Sequence, residues 1–269
     1  MSFDTARFLK LMRERGQGLG QPLEVTESTG STNDDARTAG TAGAKHGSCF
    51  LTDYQSRGRG RRGRQWESAP AENLLCSILL RPQVTAEQLG CLSLLVGLSI
   101  RDALAPCVNV PLQIKWPNDV LAQGKKLCGI LVESSFAGDQ MGAVIAGFGI
   151  NLHQTDFPSN IQGAPTSLVA LGADPIDRET VLANVLLEVE ARLTAFQQKG
   201  LSSALPDLRQ HDALLGTTVR IEGLSGVADG INENGALLLR DSSGKQHAIV
   251  SGTVEYAEGS LDLPDGRDS

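Results

Sequence analysis

Apolar and polar positions along the chain change period several times, and each change marks an element. From Asp4 to Arg15 apolar residues recur at helical spacing and stop at Gly16-Gln-Gly18, which predicts one short leading helix. Leu23–Ser28, Ser48–Tyr54 and Asn73–Leu80 are short apolar segments of strand character. Thr85 to Ala105 returns to a helical stripe of Leu89, Leu92, Leu95, Val96 and Ile100, with Thr85 in the N-cap position. Alternation in Leu112-Gln-Ile-Lys115 puts Leu112 and Ile114 on one face and Lys115 on the other, and Pro117 ends that strand. Val120–Ala122 and Leu127–Ser134 flank a Gln123-Gly-Lys125 turn and predict a hairpin, continued by a strand from Met141 to Asn151. A long amphipathic helix is expected from Asp177 to Gln198, capped by Asp177 and closed by Gly200, with a shorter one from Ala204 to Leu214.

At Gly216 the texture becomes short β segments separated by turn residues: Thr217–Ile221, Gly226–Ile231, Ala236–Arg240 and Gln246–Val250. This predicts a small barrel that must pack on the larger domain, since so short a segment buries little core alone. The expected organisation is a main domain over 1–214, a barrel over 215–257 and a disordered acidic tail over 258–269.

Composition narrows the function. The chain of 269 residues is 41% hydrophobic, enough to bury a core, and its net charge of −7 argues against general polyanion binding. Five scattered cysteines (Cys49, Cys76, Cys91, Cys107, Cys128) form no C-x-x-C pair and read as reduced, buried, structural residues. No h-region opens the chain and no run of about 18 continuous apolar residues occurs, so a cytoplasmic protein is expected. The segment before the first motif is too short for a helix-turn-helix domain.

Against that acidic background, Arg57 to Arg64 packs five arginines and three glycines into eight residues. Arg/Gly runs also occur as solvated tails or nucleic-acid patches. This one lies between two predicted strands with Trp66 as its sole aromatic neighbour, which suits a loop that closes over an anion: glycine allows close backbone approach and guanidinium forks bind carboxylate or phosphate oxygens in pairs. Ser31-Thr32-Asn33-Asp34 follows a strand, and its side chains either cap the next helix or hydrogen-bond a small polar ligand. Lys115 projects from a strand end before a rigid Trp-Pro-Asn-Asp turn. Gly147 and Gly149 permit close approach to their strand, and Asn151 ends it with a donor and an acceptor. His153 reads as a loop residue.

Ser31-Thr32-Asn33, Gln55 with Arg57-Gly-Arg-Gly-Arg-Arg-Gly-Arg64, Lys115-Trp-Pro-Asn-Asp119, Lys126-Leu-Cys-Gly-Ile-Leu-Val-Glu133 and Gly147-Phe-Gly-Ile-Asn151 together resemble the biotin protein ligase family in order and spacing, over about residues 23 to 256. The resemblance implies an α+β fold, a central mixed β-sheet flanked by helices and related to class II aminoacyl-tRNA synthetases, with an SH3-like C-terminal barrel. It implies a two-step ligase that activates biotin with ATP as biotinyl-5′-AMP and passes it to a lysine of a biotin carboxyl carrier protein. By carry-over, Ser31, Thr32 and Asn33 would bind the ureido head of biotin, with Gln55 near its carboxyl end. Gly129 and Leu131 would help line the slot for its apolar body. Arg59, Gly60 and Arg61 would close on carboxylate and α-phosphate, with Lys115 and Arg61 catalytic. Arg62, Arg64, Trp66, Asn118 and Asn151 would complete the nucleotide site, Trp66 by stacking on adenine. Mg²⁺ would be held by phosphate oxygens and water, with no protein cage. The loop is expected to be mobile when empty. At Thr253 family members often carry an acidic residue, so the barrel is expected to help dock carrier or nucleotide. The resemblance leaves a homodimer paired through sheet edges as one option, and no operator binding is expected. The nearest alternatives are a lipoate protein ligase, which shares the fold and chemistry, and a nucleic-acid-binding regulator using the arginine loop.

Overall fold

The computed structural model describes residues 2–16, 18–137, 140–159, 161 and 164–257. The tail expected to be disordered, 258–269, lies outside them.

Seven strands form one mixed sheet: β1 (Leu23–Thr29), β2 (Cys49–Gln55), β3 (Leu74–Leu80), β4 (Leu112–Lys115), β5 (Asp119–Ala122), β6 (Lys125–Ala137) and β7 (Gln140–Ile150), in the order β1-β2-β3-β7-β6-β5-β4. β1 and β2 run parallel and every other neighbouring pair is antiparallel. Strand alternation sorts the side chains. Leu74, Cys76, Ile78 and Leu80 of β3, with Val144, Ala146, Phe148 and Ile150 of β7, face the main core. The intervening positions face the opposite way: Leu79, Ala143 and Ile145 join Ala36 and Phe50 in a small second cluster.

Helices α1 (Thr5–Glu14), α3 (Leu89–Leu104) and α4 (Arg178–Lys199) contribute to the main core, and α2 (Thr32–Thr41) covers the second cluster. Asp4 and Asp177 cap α1 and α4 by accepting from the backbone N–H of Arg7 and Thr180, as the sequence predicts for Asp177. Leu89–Cys107 is long and apolar enough to cross a membrane, but its residues Cys91 to Ile100 are all buried within the domain.

Several boundaries differ from the sequence expectation. The α-helix expected from Thr85 starts at Leu89 with Gln88 in the N-cap position, after a 3₁₀ turn over Ala86–Gln88, so Thr85 does not cap it. The helix expected from Ala204 to Leu214 is only α5, Leu205–Gln210. The following residues are drawn off by β4, where the Ile114 N–H donates to His211 O at 2.7 Å and the Ala213 N–H to Ile114 O at 2.9 Å.

The C-terminal sheet holds β8 (Thr218–Ile221), β9 (Leu224–Ile231), β10 (Leu237–Arg240), β11 (Gln246–Ile249) and β12 (Val254–Tyr256), ordered β11-β10-β9-β8-β12. β12 has no counterpart in the sequence reading, because three residues are too few to show alternation. This sheet seats on the main domain through the buried Trp116, whose Nε1 donates to Gly235 O at 3.0 Å, while Gly235 packs against Cys91.

Candidate active site

Two rows of residues cross the sheet on the face away from the main core. In register, Ser77 of β3, Gly147 of β7 and Leu131 of β6 form one row, and Leu75, Gly149 and Gly129 form the next. The glycines keep this floor low, and other side chains fill the space. A Cβ on Gly147 would fall 1.9 Å from Asn33 Oδ1, and one on Gly149 would fall 2.4 Å from Trp66 Cε2. The first row therefore receives the start of α2 and the second receives the indole of Trp66.

Ser31, Thr32 and Asn33 are buried, and Ser31 makes no side-chain cap hydrogen bond, so capping does not account for this run. Its side chains join a network reaching across the sheet. Gln55 Oε1 accepts from Thr32 N at 2.9 Å and Thr32 Oγ1 at 3.2 Å. Ser77 Oγ lies 2.7 Å from Thr32 Oγ1 and 2.6 Å from Asn33 Oδ1. Asn33 Nδ2 donates to Glu133 Oε2 at 2.7 Å and to Leu131 O at 3.3 Å. Because Asn33 Oδ1 can only accept and Nδ2 can only donate, Ser77 and Glu133 fix which way the amide points.

Glu133 also reaches the arginine loop. Arg59 lies between Glu133 at 2.8 Å and Asp34 at 2.9 Å, and Arg37 meets the same Glu133 oxygen at 2.9 Å. Beyond Arg59 the loop turns on Arg62 and Gly63, both at positive φ, and leans on the barrel: Arg62 pairs with Glu222, and Arg64 donates to Thr253 Oγ1 at 3.0 Å. Arg57 lies against Gly30. Among the described residues Arg61 has no ion pair or hydrogen bond from its guanidinium. Burial and the neighbouring Arg62 push its pKa down, against the opposing pull of Asp119.

At the far end Lys115 closes β4. Burial lowers its pKa from the ordinary lysine value, Asp119 opposes that shift, and Lys126 and Arg64 add to it. Asp119 is held by Lys126 at 2.8 Å. Asn118 Nδ2 donates to Ile130 O at 2.7 Å and Asn151 Nδ2 to Thr166 O at 2.9 Å, which ties both amide donors to the backbone and leaves their oxygens.

The residues that the family resemblance assigned to the site line one cavity of about 380 Å³: Ser31, Thr32, Asn33, Gln55, Arg59, Gly60, Arg61, Arg62, Arg64, Trp66, Lys115, Asn118, Gly129, Leu131 and Asn151; Asp34, Arg57 and His153 do not line it. Neutral polar side chains line its Thr32 end, where the charge of Arg59 is balanced by Glu133 and Asp34; glycine and indole floor the middle, and the Lys115 end is cationic. Two buried donors that face no protein acceptor among the described residues, Arg59 Nε and Trp66 Nε1, belong to the same lining. Such groups are costly to bury unless a bound molecule uses them. The sequence reading assigned no role to Ser77 and Glu133, which stand behind the cavity wall and bond to Thr32 and Asn33, or to the barrel residue Val254, which lines it beside Gly252 and Thr253. A lone hydroxyl in the buried strand Leu74–Leu80 and a carboxylate two places beyond Leu131 were the available signals.

The chain as a whole is similar to known proteins. Residues 24–151 match the Biotin/lipoate A/B protein ligase family and residues 214–256 the Biotin protein ligase C terminal domain. The chain is 34% identical over 252 residues to the biotin--[acetyl-CoA-carboxylase] ligase of Mycobacterium tuberculosis, covering 90% of this chain and 91% of that one. It is 32% identical over 243 residues to the bifunctional ligase/repressor BirA of Bacillus subtilis, covering 88% and 74%. Among solved structures it resembles the biotin protein ligase of Aquifex aeolicus in complex with biotin and ATP, with a TM-score of 0.76 and 30% identity over 88% of this chain and 100% of that one.

Proposed function

The chain belongs to the biotin protein ligase family, and on that premise we propose how its residues divide the work. It is an ATP-dependent biotin ligase with biotin and ATP as substrates. In the first step a biotin carboxylate oxygen attacks the α-phosphorus of ATP, the new O–P bond forms, the bond to the bridging oxygen of the β-phosphate breaks, and pyrophosphate leaves. In the second a carrier lysine amine attacks the acyl carbon of biotinyl-5′-AMP, the C–N bond forms, the bond to AMP breaks, and the amine gives up a proton.

The observation that carries the assignment of residues is the polarity gradient along the cavity. Ser31, Thr32, Asn33 and Gln55, locked by Ser77 and Glu133, supply neutral donors and acceptors suited to a ureido ring. Gly129, Gly149, Leu131 and Trp66 supply a narrow apolar slot suited to a thiophane and its valeryl chain. Trp66 packs on β6 and β7 beside Lys126, 5.7 Å from ring to ammonium, so its indole also divides this slot from the cationic end. There Arg61, Arg64 and Lys115 meet the carboxylate and phosphates, and Asn118 and Asn151 offer their oxygens to the nucleotide.

Charge placed in advance where the transition state needs it is the main lever in phosphoryl chemistry. Lys115 and Arg61 fit that task because burial strengthens their interaction with an anion and neither is spent on an ion pair. Mg²⁺ would ride on the phosphate oxygens, since the described residues hold no group of three or more His, Cys, Asp or Glu side chains able to cage it. Bound with ATP, it would neutralise phosphate charge.

The acyl acceptor we assign is a biotin carboxyl carrier protein, the class implied by the relatives' names. The free cysteines support a reducing cytoplasm as the place of action. Strand β1, hydrogen-bonded only to β2, leaves an edge through which two copies could pair.

The deciding experiment gives the purified protein biotin and Mg-ATP, with lipoate in a parallel tube, and follows pyrophosphate release and retained acyl-adenylate by mass spectrometry. Adenylate from biotin alone is expected. Adenylate from lipoate instead would reassign the slot, and none from either acid would leave the arginine loop to a binding role.

A further inference from the structure

The last strand of the barrel brings an aromatic ring to the catalytic end of the cavity. Tyr256 closes β12, is held by backbone pairing with Val219 of β8, and is half-buried. The Lys115 ammonium stands 4.5 Å from the centroid of its ring. That lies inside the roughly 6 Å range in which an aromatic face attracts a cation. Among the described residues this ammonium has no hydrogen bond and no ion pair, and the adjacent carboxylate, Asp119, is engaged by Lys126 at 2.8 Å.

We propose that Tyr256 is a positioning residue for Lys115: its ring face holds the ammonium at the cationic end of the cavity without neutralising it, which makes the barrel part of the adenylation site. The chemistry favours a ring over a carboxylate here. A carboxylate would pin the lysine through a formal ion pair and compete with the phosphate for it. A ring attracts the cation through its quadrupole and leaves the N–H donors and the full charge for the α-phosphate. The ring is itself fixed, because the residue next to Lys115, Trp116, anchors the barrel through Gly235, and Arg64 anchors it through Thr253. Lys115 therefore lies in a clamp with its own strand on one side and the barrel on the other.

This inference rests on the assignment of Lys115 to the phosphoryl step, so the test separates the two. Position 256 is filled with Tyr, Phe, a series of increasingly fluorinated phenylalanines and Leu, and Lys115→Ala is prepared alongside. The readouts are the single-turnover rate of biotinyl-adenylate formation at saturating substrates and the KM for biotin. Tyr256→Phe is expected to sustain the rate within about 2-fold, and full fluorination or Tyr256→Leu to lower it about 5-fold with the biotin KM unmoved, as loss of a cation–π contact implies. Fluorination preserves ring shape, so the series decides even where Tyr256→Leu loosens the barrel. A rate independent of fluorine count, or a loss already complete in Tyr256→Phe, overturns the role of the ring. Near-normal adenylation by Lys115→Ala overturns the reading beneath it, whereas a severe loss there beside a flat fluorine series overturns the inference alone.

Discussion

Truncation of Glu133 should weaken biotin binding although Glu133 need not touch biotin. One of its oxygens accepts from Asn33 Nδ2 at 2.7 Å and lies 2.8 and 2.9 Å from the guanidinium nitrogens of Arg59 and Arg37. The two arginine pairs are more than a third exposed on the guanidinium side and contribute about 0.5 kcal/mol each. The Asn33 bond is different, because it runs from a buried amide to a charged acceptor and is expected to stabilise the site by about 2 kcal/mol. Without it Asn33 Nδ2 keeps only the longer bond to Leu131 O at 3.3 Å, and nothing but Ser77 then orients the amide. Glu133→Ala should therefore raise the biotin Kd about 30- to 150-fold, the equivalent of about 2–3 kcal/mol, and Glu133→Gln, which retains an acceptor, about 5-fold. Isothermal titration with biotin in the absence of ATP measures both. The argument also fixes a coupling: in an Asn33→Ala background the Glu133→Ala effect should shrink to the arginine contribution of about 1 kcal/mol or less. An unchanged biotin Kd in Glu133→Ala, or full additivity with Asn33→Ala, would refute the orienting role.

Lys115→Ala should cut adenylate formation by about 10²–10³-fold with a small change in biotin affinity, as expected for a cation that meets transition-state charge. Because burial lowers the Lys115 pKa, its ammonium deprotonates below the ordinary value of 10.5; adenylation should fall on an alkaline limb below that pH, and Lys115→Arg should move the limb upward in a pH–rate profile. Arg61→Gly should slow adenylation without abolishing it and let the intermediate escape, because a half-buried guanidinium that pairs with no described protein group is removed from the anion it would hold; a release assay in which the variant retains biotinyl-5′-AMP like the wild type would contradict this. Gly149→Ala should exclude Trp66 from its seat, since the new Cβ would lie 2.4 Å from the indole, with loss of substrate binding by titration and a change in tryptophan fluorescence.

How far the sequence reached is clearest at individual residues. Local signals were enough for what local chemistry controls. The Asp177 cap, the turn at Gln123-Gly124, the alternation that turns Lys115 away from Leu112, and the arginine loop between two strands are each legible within a few positions, because hydrogen bonds and side-chain period act over that distance. The main helices and most strands followed from the same patterns, whereas their assembly into one mixed sheet was implied only by the family resemblance. The helix predicted through Leu214 was lost because β4 offers the backbone after His211 a partner from another part of the chain, and β12 was too short to announce itself.

The site's wiring belongs to the tertiary structure. Ser77 lies 44 residues from Asn33, Glu133 lies 100 residues from it, and Tyr256 comes from the other sheet altogether. In sequence these are a serine in a buried strand, a glutamate in a hairpin and a tyrosine near a tail. Only strand register, which sets Ser77 opposite Gly147 and Gly147 opposite Leu131, and the seating of the barrel on Trp116 bring them against the residues that line one cavity. The sequence determined which residue types were available and on which face of each element they lie. Which of them meet was decided by the pairing order of the strands, because long-range contacts depend on packing that no local period encodes.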